Sequence, residues 1–156
     1  MSLKQELERE KVSDLDLSEF CQVTPGTAVS DAIKKMQATQ SKVCLITQDK
    51  HLKGILTDRD VLRKIAANTA TFSKPVDSVM TKDPITINPT TTAAYALWLM
   101  DDKHFRNLPV VDRTGNVVGN MTHQAVINYL AARYPIEVLN RPNNPDNFPS
   151  KPEGGD

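Results

Sequence analysis

Neither sign of charge prevails in this chain: 19 Lys and Arg residues stand against 19 Asp and Glu. Nucleic acid or an anionic membrane surface therefore finds no electrostatic footprint on it. No apolar run approaches the ~18–20 residues needed to cross a bilayer. Met1 to Lys11 is charged, lacks the apolar stretch of a secretion signal, and reads as an N-terminal helix. Cysteine is scarce. Cys21 and Cys44 each sit inside an apolar stretch, which argues against a disulfide framework and for reduced, buried thiols in a cytoplasmic protein. The three histidines, His51, His104 and His123, are too scattered for a metal centre, and no Cys or His pair has zinc spacing. A nucleophile elbow, a P-loop and a dinucleotide glycine fingerprint are all missing. With no catalytic constellation, the chain is not expected to be an enzyme.

What the sequence does contain is a repeat. Shifted by 64 residues, Val12-Ser13-Asp14-Leu15 meets Val76-Asp77-Ser78-Val79, and Gln22-Val23-Thr24-Pro25 meets Thr86-Ile87-Asn88-Pro89. Ala32, Ile33 and Met36 meet Ala96, Leu97 and Met100. At a shift of 65, Val43-Cys44-Leu45-Ile46 meets Leu108-Pro109-Val110-Val111, while Gly54, Thr57 and Val61 meet Gly119, Thr122 and Val126. One inserted residue across otherwise matched halves is the mark of a duplicated unit.

Each half predicts the order βαββα. A short extended segment (Cys21–Val23; Ile85–Ile87) ends at a residue-Pro turn that bars a helix from starting earlier. A helix follows, with Val29, Ala32, Ile33 and Met36 at helical spacing in the first half. Two strands come next (Val43–Ile46 and Lys53–Leu56; Leu108–Val111 and Val117–Met121), then a closing helix (Asp58–Ala67; His123–Arg133). The helix containing Ala93–Met100 has almost no polar face, so either the other repeat and a second subunit cover it, or it is sandwiched inside the monomer. The domain reading is an N-terminal helix over 1–11, a first repeat over 12–70, a second over 71–134, and a Pro-rich tail over 135–156, extended or disordered.

The chemistry sits in Gly54-Ile55-Leu56-Thr57-Asp58-Arg59-Asp60. A strand ends and a helix begins at Thr57, so the first N–H groups of that helix are free to meet an anion. Asp60 would repel a phosphate but suits two ribose hydroxyls, and Arg59 can supply positive charge. Thr57-x-x-Asp60 is also a capping box. The second half tests that alternative, because Thr122 is kept while the acid has become Ala125. A helix start that manages without the carboxylate weakens the capping account.

The Gly-x-x-Thr-x-x-Asp run, the apolar strand before it, the residue-Pro turn and the tandem arrangement resemble CBS domains, the family named for cystathionine β-synthase, over about Val12 to Arg133. The resemblance implies an α/β fold in which two βαββα repeats pack sheet to sheet about a pseudo-two-fold axis, leaving two quasi-equivalent clefts. It implies an adenosyl ligand (AMP, ADP, ATP or S-adenosylmethionine), no required cofactor, a homodimer, and a separate effector protein. Carried over, Thr57, Arg59 and Asp60 form the core of one site, with Lys42 near the phosphates and Val43 also among the ligand-binding residues. The adenine would lie near Ile87 and Asn88, or near Val23 and Thr24. Arg106, Asn107, Thr122, His123 and Gln124 are the counterparts at the second cleft, able to reach phosphate there or across the module. Lacking the acid, the second cleft is expected to be weak or empty. The competing reading is a structural or dimerisation module with vestigial clefts.

Overall fold

Turn chemistry and apolar runs together dictate the elements of the first half. In a computed structural model describing residues 2–134, α1 (Leu3–Arg9) is opened by a capping box between Ser2 and Gln5. Strand β1 (Cys21–Val23) stops at Thr24-Pro25-Gly26, where Gly26 takes φ +86, a left-handed conformation that favours glycine. Helix α2 (Val29–Thr39) turns Val29, Ala32 and Met36 inward. It ends at Gln40, also left-handed, with Ser41 N–H closing back on the Met36 carbonyl. Strands β2 (Val43–Gln48) and β3 (His51–Thr57) form a hairpin, with Val43, Cys44, Leu45, Ile46 and Leu56 all fully buried. The proline-rich tail over 135–156 lies outside the described residues.

The closing helix of the first half departs from expectation. Only Asp58–Asp60 (α3) is α-helical; Val61–Ile65 winds more widely, with Ala66 N–H bonded to the Val61 carbonyl five residues back. The wider turn still carries Ile65 fully into the core. After a short strand β4 (Thr81–Lys82) the order recurs as α4 (Ala93–Lys103), β5 (Asn107–Val111), β6 (Val117–Thr122) and α5 (His123–Arg133). The extended segment expected over Ile85–Ile87 contributes a single parallel bridge, Ile87 to Val110.

One sheet has the order β1-β2-β3-β4, with β1 parallel to β2 and the other pairs antiparallel. The β5–β6 pair has the same neighbours in reduced form: Ile87 on one side, and on the other the Leu17 carbonyl accepting Asn120 N–H. This α/β duplication is the expected fold class.

Register corrects the placement of the inserted residue. Ile46 pairs with Gly54 and Val110 with Gly119; Val23 bridges Ile46 and Ile87 bridges Val110. The 64-residue shift therefore persists through β5, and the extra residue lies in the β5–β6 turn rather than ahead of the strand. A turn absorbs a residue locally, whereas an insertion before a strand would reverse the face of every side chain after it. Lys42 and Val43 are thus the counterparts of Arg106 and Asn107.

The two halves exchange their leading segments. Val12 and Leu15 are buried among Ala93, Ala96, Met100, Leu108 and Met121 of the second repeat, and Val12 N–H bonds the Thr91 carbonyl. Reciprocally, Val76 and Val79 are buried among Val29, Ala32, Leu56 and Ile65 of the first, and Val76 N–H bonds the Thr27 carbonyl. The matched glycines make room for this. A Cβ on Gly54 would lie 2.4 Å from Met80 Sδ, and one on Gly119 2.4 Å from Leu17 Cβ. A smaller cluster of Val43, Leu45, Ile55, Phe20, Leu52 and Val117 packs between the repeats.

Candidate functional site

A cleft of about 320 Å³ opens where the exchanged segment Thr81–Ile85 passes the end of β3. Its walls hold Thr57, Asp58, Arg59 and Asp60 from the first repeat, Asp83 from the crossing segment, and His104, Arg106 and Asn107 from the α4–β5 turn. The volume suits a small ligand. Asp60 is held by Thr57 N–H at 2.9 Å and Thr57 Oγ1 at 3.1 Å, while Thr57 Oγ1 accepts Asp60 N–H at 3.2 Å, so the capping box is complete. Lys64 Nζ lies 3.6 Å from the other carboxylate oxygen. The cap of α5 is made by Thr122 Oγ1 accepting Ala125 N–H at 3.0 Å, with no carboxylate in attendance.

Charge in this cleft is divided. Asp58, Asp60 and Asp83 are carboxylates suited to hydroxyl or amino donors, whereas Arg59 and Arg106 offer planar guanidinium groups and His104 an imidazole. His104 is at this spot because it ends α4 in a left-handed turn at φ 58, as Gln40 ends α2. A ligand with a diol at one end and phosphate at the other matches that division.

The related cleft, about 240 Å³, is lined by Asp16, Ser18, Glu19, Gln40, Ser41, Thr122, Gln124 and Ala125. Position by position, Gln124 replaces Arg59, Gln40 replaces His104 and Ala125 replaces Asp60, while Lys42, the counterpart of Arg106, does not line it. Asp16 and Glu19 remain, so this cleft is acidic where its partner is mixed. Asp16 is held below the usual carboxylate range chiefly by the Ser18 hydroxyl, with Ser18 N–H adding to it.

The structure brings together Thr57, Arg59, Asp60, Arg106 and Asn107 in the first cleft, and Thr122 and Gln124 in the second. His123, the first residue of α5, does not line the second cleft. Ile87 and Asn88 border a wider recess with Tyr95 and Arg113, which shares Ile85 with the first cleft. Thr24 sits in the turn after β1, its hydroxyl 3.5 Å from that of Thr27. Lys42 receives Asp58 N–H on its carbonyl at 2.9 Å, and the Val43 side chain is fully buried between the sheets. Thr81, Asp83, Pro84, Ile85 and Phe105 line the first cleft without any prior signal as ligand residues. The repeat itself held the clue, since it places Glu19 and Asp83 at equivalent positions. Among the described residues no cluster of His, Cys, Asp and Glu could hold a metal ion, and no helix is long and apolar enough to cross a membrane.

The family model described as the CBS domain matches residues 12–67 and again 76–132. The chain is 38% identical over 117 residues to the CBS domain-containing protein CBSCBSPB3 of Arabidopsis thaliana, covering 71% of this chain and 21% of that one. It therefore spans about a fifth of that plant relative's length. It is 30% identical over 108 residues to the CBS domain-containing protein YhcV of Bacillus subtilis, covering 69% of this chain and 76% of that one. Among solved structures, CBSX2 in complex with AMP superposes with a TM-score of 0.69 at 26% identity, covering 80% of this chain and 98% of that one.

Proposed function

The chain belongs to the CBS-domain family, and from that premise we propose that it is a regulatory module whose first cleft binds an adenine nucleotide. One observation carries the reading: the first cleft sets Asp60 against Arg59, Arg106 and His104. The ribose hydroxyls donate to Asp60, and the phosphate is held by the guanidinium groups; the N–H groups of Thr57, Asp58, Arg59 and Asp60, expected to be free for an anion, are all bonded within the chain. AMP, ADP and ATP fit that division of charge better than S-adenosylmethionine, whose sulfonium would face cations. The AMP complex of CBSX2 supports the ligand class. The second cleft, acidic and without Asp60's counterpart, stays empty of nucleotide.

The signal leaves by linkage. Residues 74–85 run from the first core through the cleft wall toward α4, so a ligand that prefers one setting of this segment shifts both repeats by its differential affinity. The protein acts in the cytoplasm on a separate effector and catalyses no reaction itself. It works as a homodimer, with Tyr95 and Trp98 at the contact. They are 51% and 57% exposed on the apolar stretch Ala93–Met100 of α4, with ring centroids 5.7 Å apart. Light scattering at micromolar concentration should give the mass of two chains, and Trp98→Lys should return it to one; a monomeric wild type would refute the dimer.

A second reading has its own support, because Asp60 already closes a complete capping box without a ligand. A dimerisation scaffold needs nothing more from it. Isothermal titration with AMP, ADP, ATP and S-adenosylmethionine separates the two readings. One bound nucleotide per chain supports the sensor, and no heat with any of them leaves the scaffold.

A further inference from the structure

Two nucleophilic side chains stand outside the cleft. Cys21 on β1 and Cys44 on β2 are register partners on adjacent parallel strands, so their side chains leave the same face of the sheet side by side. Both are free thiols in the first repeat's core, with Val29, Ala32 and Met36 of α2 above them. The Cys21 thiol donates to the Val43 carbonyl at 3.7 Å. Packing alone does not ask for two sulfurs here. In the second repeat the equivalent positions are Ile85, which is exposed, and Leu108, which is fully buried in a core that closes without a thiol.

We propose that Cys21 and Cys44 form a peroxide-responsive dithiol that closes to an intrachain disulfide and so sets the affinity of the first cleft. Cys21 is the attacking sulfur. Its pairing with Cys44 holds its thiol below the usual cysteine range, helped by the Thr39 hydroxyl and the Lys35 ammonium and opposed by burial and by the Glu19 carboxylate. The same pairing, with burial, pushes the Cys44 thiol up, so Cys21 is the more acidic of the two. Cys21 is 5% exposed and Cys44 fully enclosed, so an oxidant meets Cys21 first.

The steps balance with a hydroperoxide as oxidant. The Cys21 thiolate attacks the peroxide oxygen, giving a sulfenic acid and releasing water or an alcohol once the leaving oxygen takes up a proton. The Cys44 sulfur then displaces the sulfenic hydroxyl, forming the S–S bond and releasing water with the Cys44 proton. Neighbouring strands lie ~4.8 Å apart, inside the ~4.4–6.8 Å Cα range of disulfides, but the Cβ atoms must close to about 3.8 Å. The strands must therefore shift, and a bridge formed under that constraint is readily reduced. The shift reaches the cleft directly: Cys44 pairs with Leu56, and its neighbour Val43 pairs with Thr57. This last link rests on the nucleotide reading; the dithiol itself does not.

The test exposes the reduced full chain to hydrogen peroxide, alkylates it under denaturing conditions, and reads intact and peptide masses. The expected result is loss of both alkylation sites, a Cys21–Cys44 cross-linked peptide, and recovery of both sites with dithiothreitol. In Cys44→Ser the reaction stops at a sulfenic acid on Cys21 that dimedone traps. Two fully alkylated thiols after peroxide, a bridge between chains, or dimedone on Cys44 in the wild type would overturn the proposal. AMP titration of the two forms reads the coupling, with a change in dissociation constant of about fivefold or more expected. Equal AMP affinity in both forms would remove the coupling. A reduced chain that oxidises as described but never binds AMP would instead remove the nucleotide reading.

Discussion

Replacing Asp60 with alanine turns the first cleft into a copy of the second at its most informative position. Two consequences have different sizes. Without ligand, Thr57 N–H loses its 2.9 Å acceptor, but Thr57 Oγ1 still accepts the N–H of residue 60, as Thr122 does for Ala125 at 3.0 Å. Half of the capping box survives, and the cost is about 1 kcal/mol, or a melting point lower by about 3 °C. With AMP, the variant loses a charged acceptor for two ribose hydroxyls. Taking the two bonds together as ~2–3 kcal/mol, affinity falls by about 30–150-fold. A nucleotide concentration 100 times the wild-type dissociation constant adds about 2.7 kcal/mol to wild-type stability; after a hundredfold loss it adds about 0.4 kcal/mol. Calorimetric titration and thermal melts with and without AMP measure both quantities. Equal AMP stabilisation of wild type and Asp60→Ala would refute the ribose assignment and return the carboxylate to its capping role.

The remaining expectations concern other parts of the molecule. Gly54→Ala and Gly119→Ala each drive a Cβ to 2.4 Å from the exchanged segment and 3.0 Å from its backbone oxygen. Each should cost about 1–3 kcal/mol in urea unfolding, and Gly54→Ala should also weaken AMP because Thr81 lines that cleft; unchanged midpoints would contradict the tight approach. Arg59→Gln with Arg106→Gln should weaken ATP more than adenosine and flatten the salt dependence of binding, and equal losses for both ligands would place the phosphate elsewhere. The Asp112 carboxyl is held below its ordinary range by the Thr114 hydroxyl first and then by Asn116 N–H, and Asp16 by Ser18. A depressed carboxylate stabilises the fold above its unfolded pKa and loses that contribution as pH falls through the folded value. Urea midpoints should therefore drop below about pH 4, and less steeply in Asp112→Asn; identical slopes would remove Asp112 from the account.

The elements that were legible beforehand are those whose cause is local. Apolar runs bounded by turns announced β2 and β5, and α5 occupies His123–Arg133 as its pattern predicts. The Thr57–Asp60 motif and its loss at Ala125 were equally readable. What escaped is nonlocal. Val12 and Leu15 fit a helix-like start in either repeat, and nothing in their spacing says that they are buried under α4. The inserted residue was misplaced because apolar runs at β2 and β5 match equally well at either shift; only pairing fixes register. The cleft members Thr81, Asp83 and His104 belong to segments brought in by the exchange and by a left-handed helix end, neither of which has a periodic signature.

The exchange of leading segments also bears on where such a chain could come from. Two separate copies of a single repeat, each lending its first segment to the other, would close the same two cores. Joining them end to end changes only the connection, turning a concentration-dependent association into an intramolecular one. Once joined, the copies no longer have to be identical. A symmetric pair must carry the same residue on both sides, so it either keeps two acids or none. The fused chain holds Asp60 on one side and Ala125 on the other, an asymmetry that only a single polypeptide can encode.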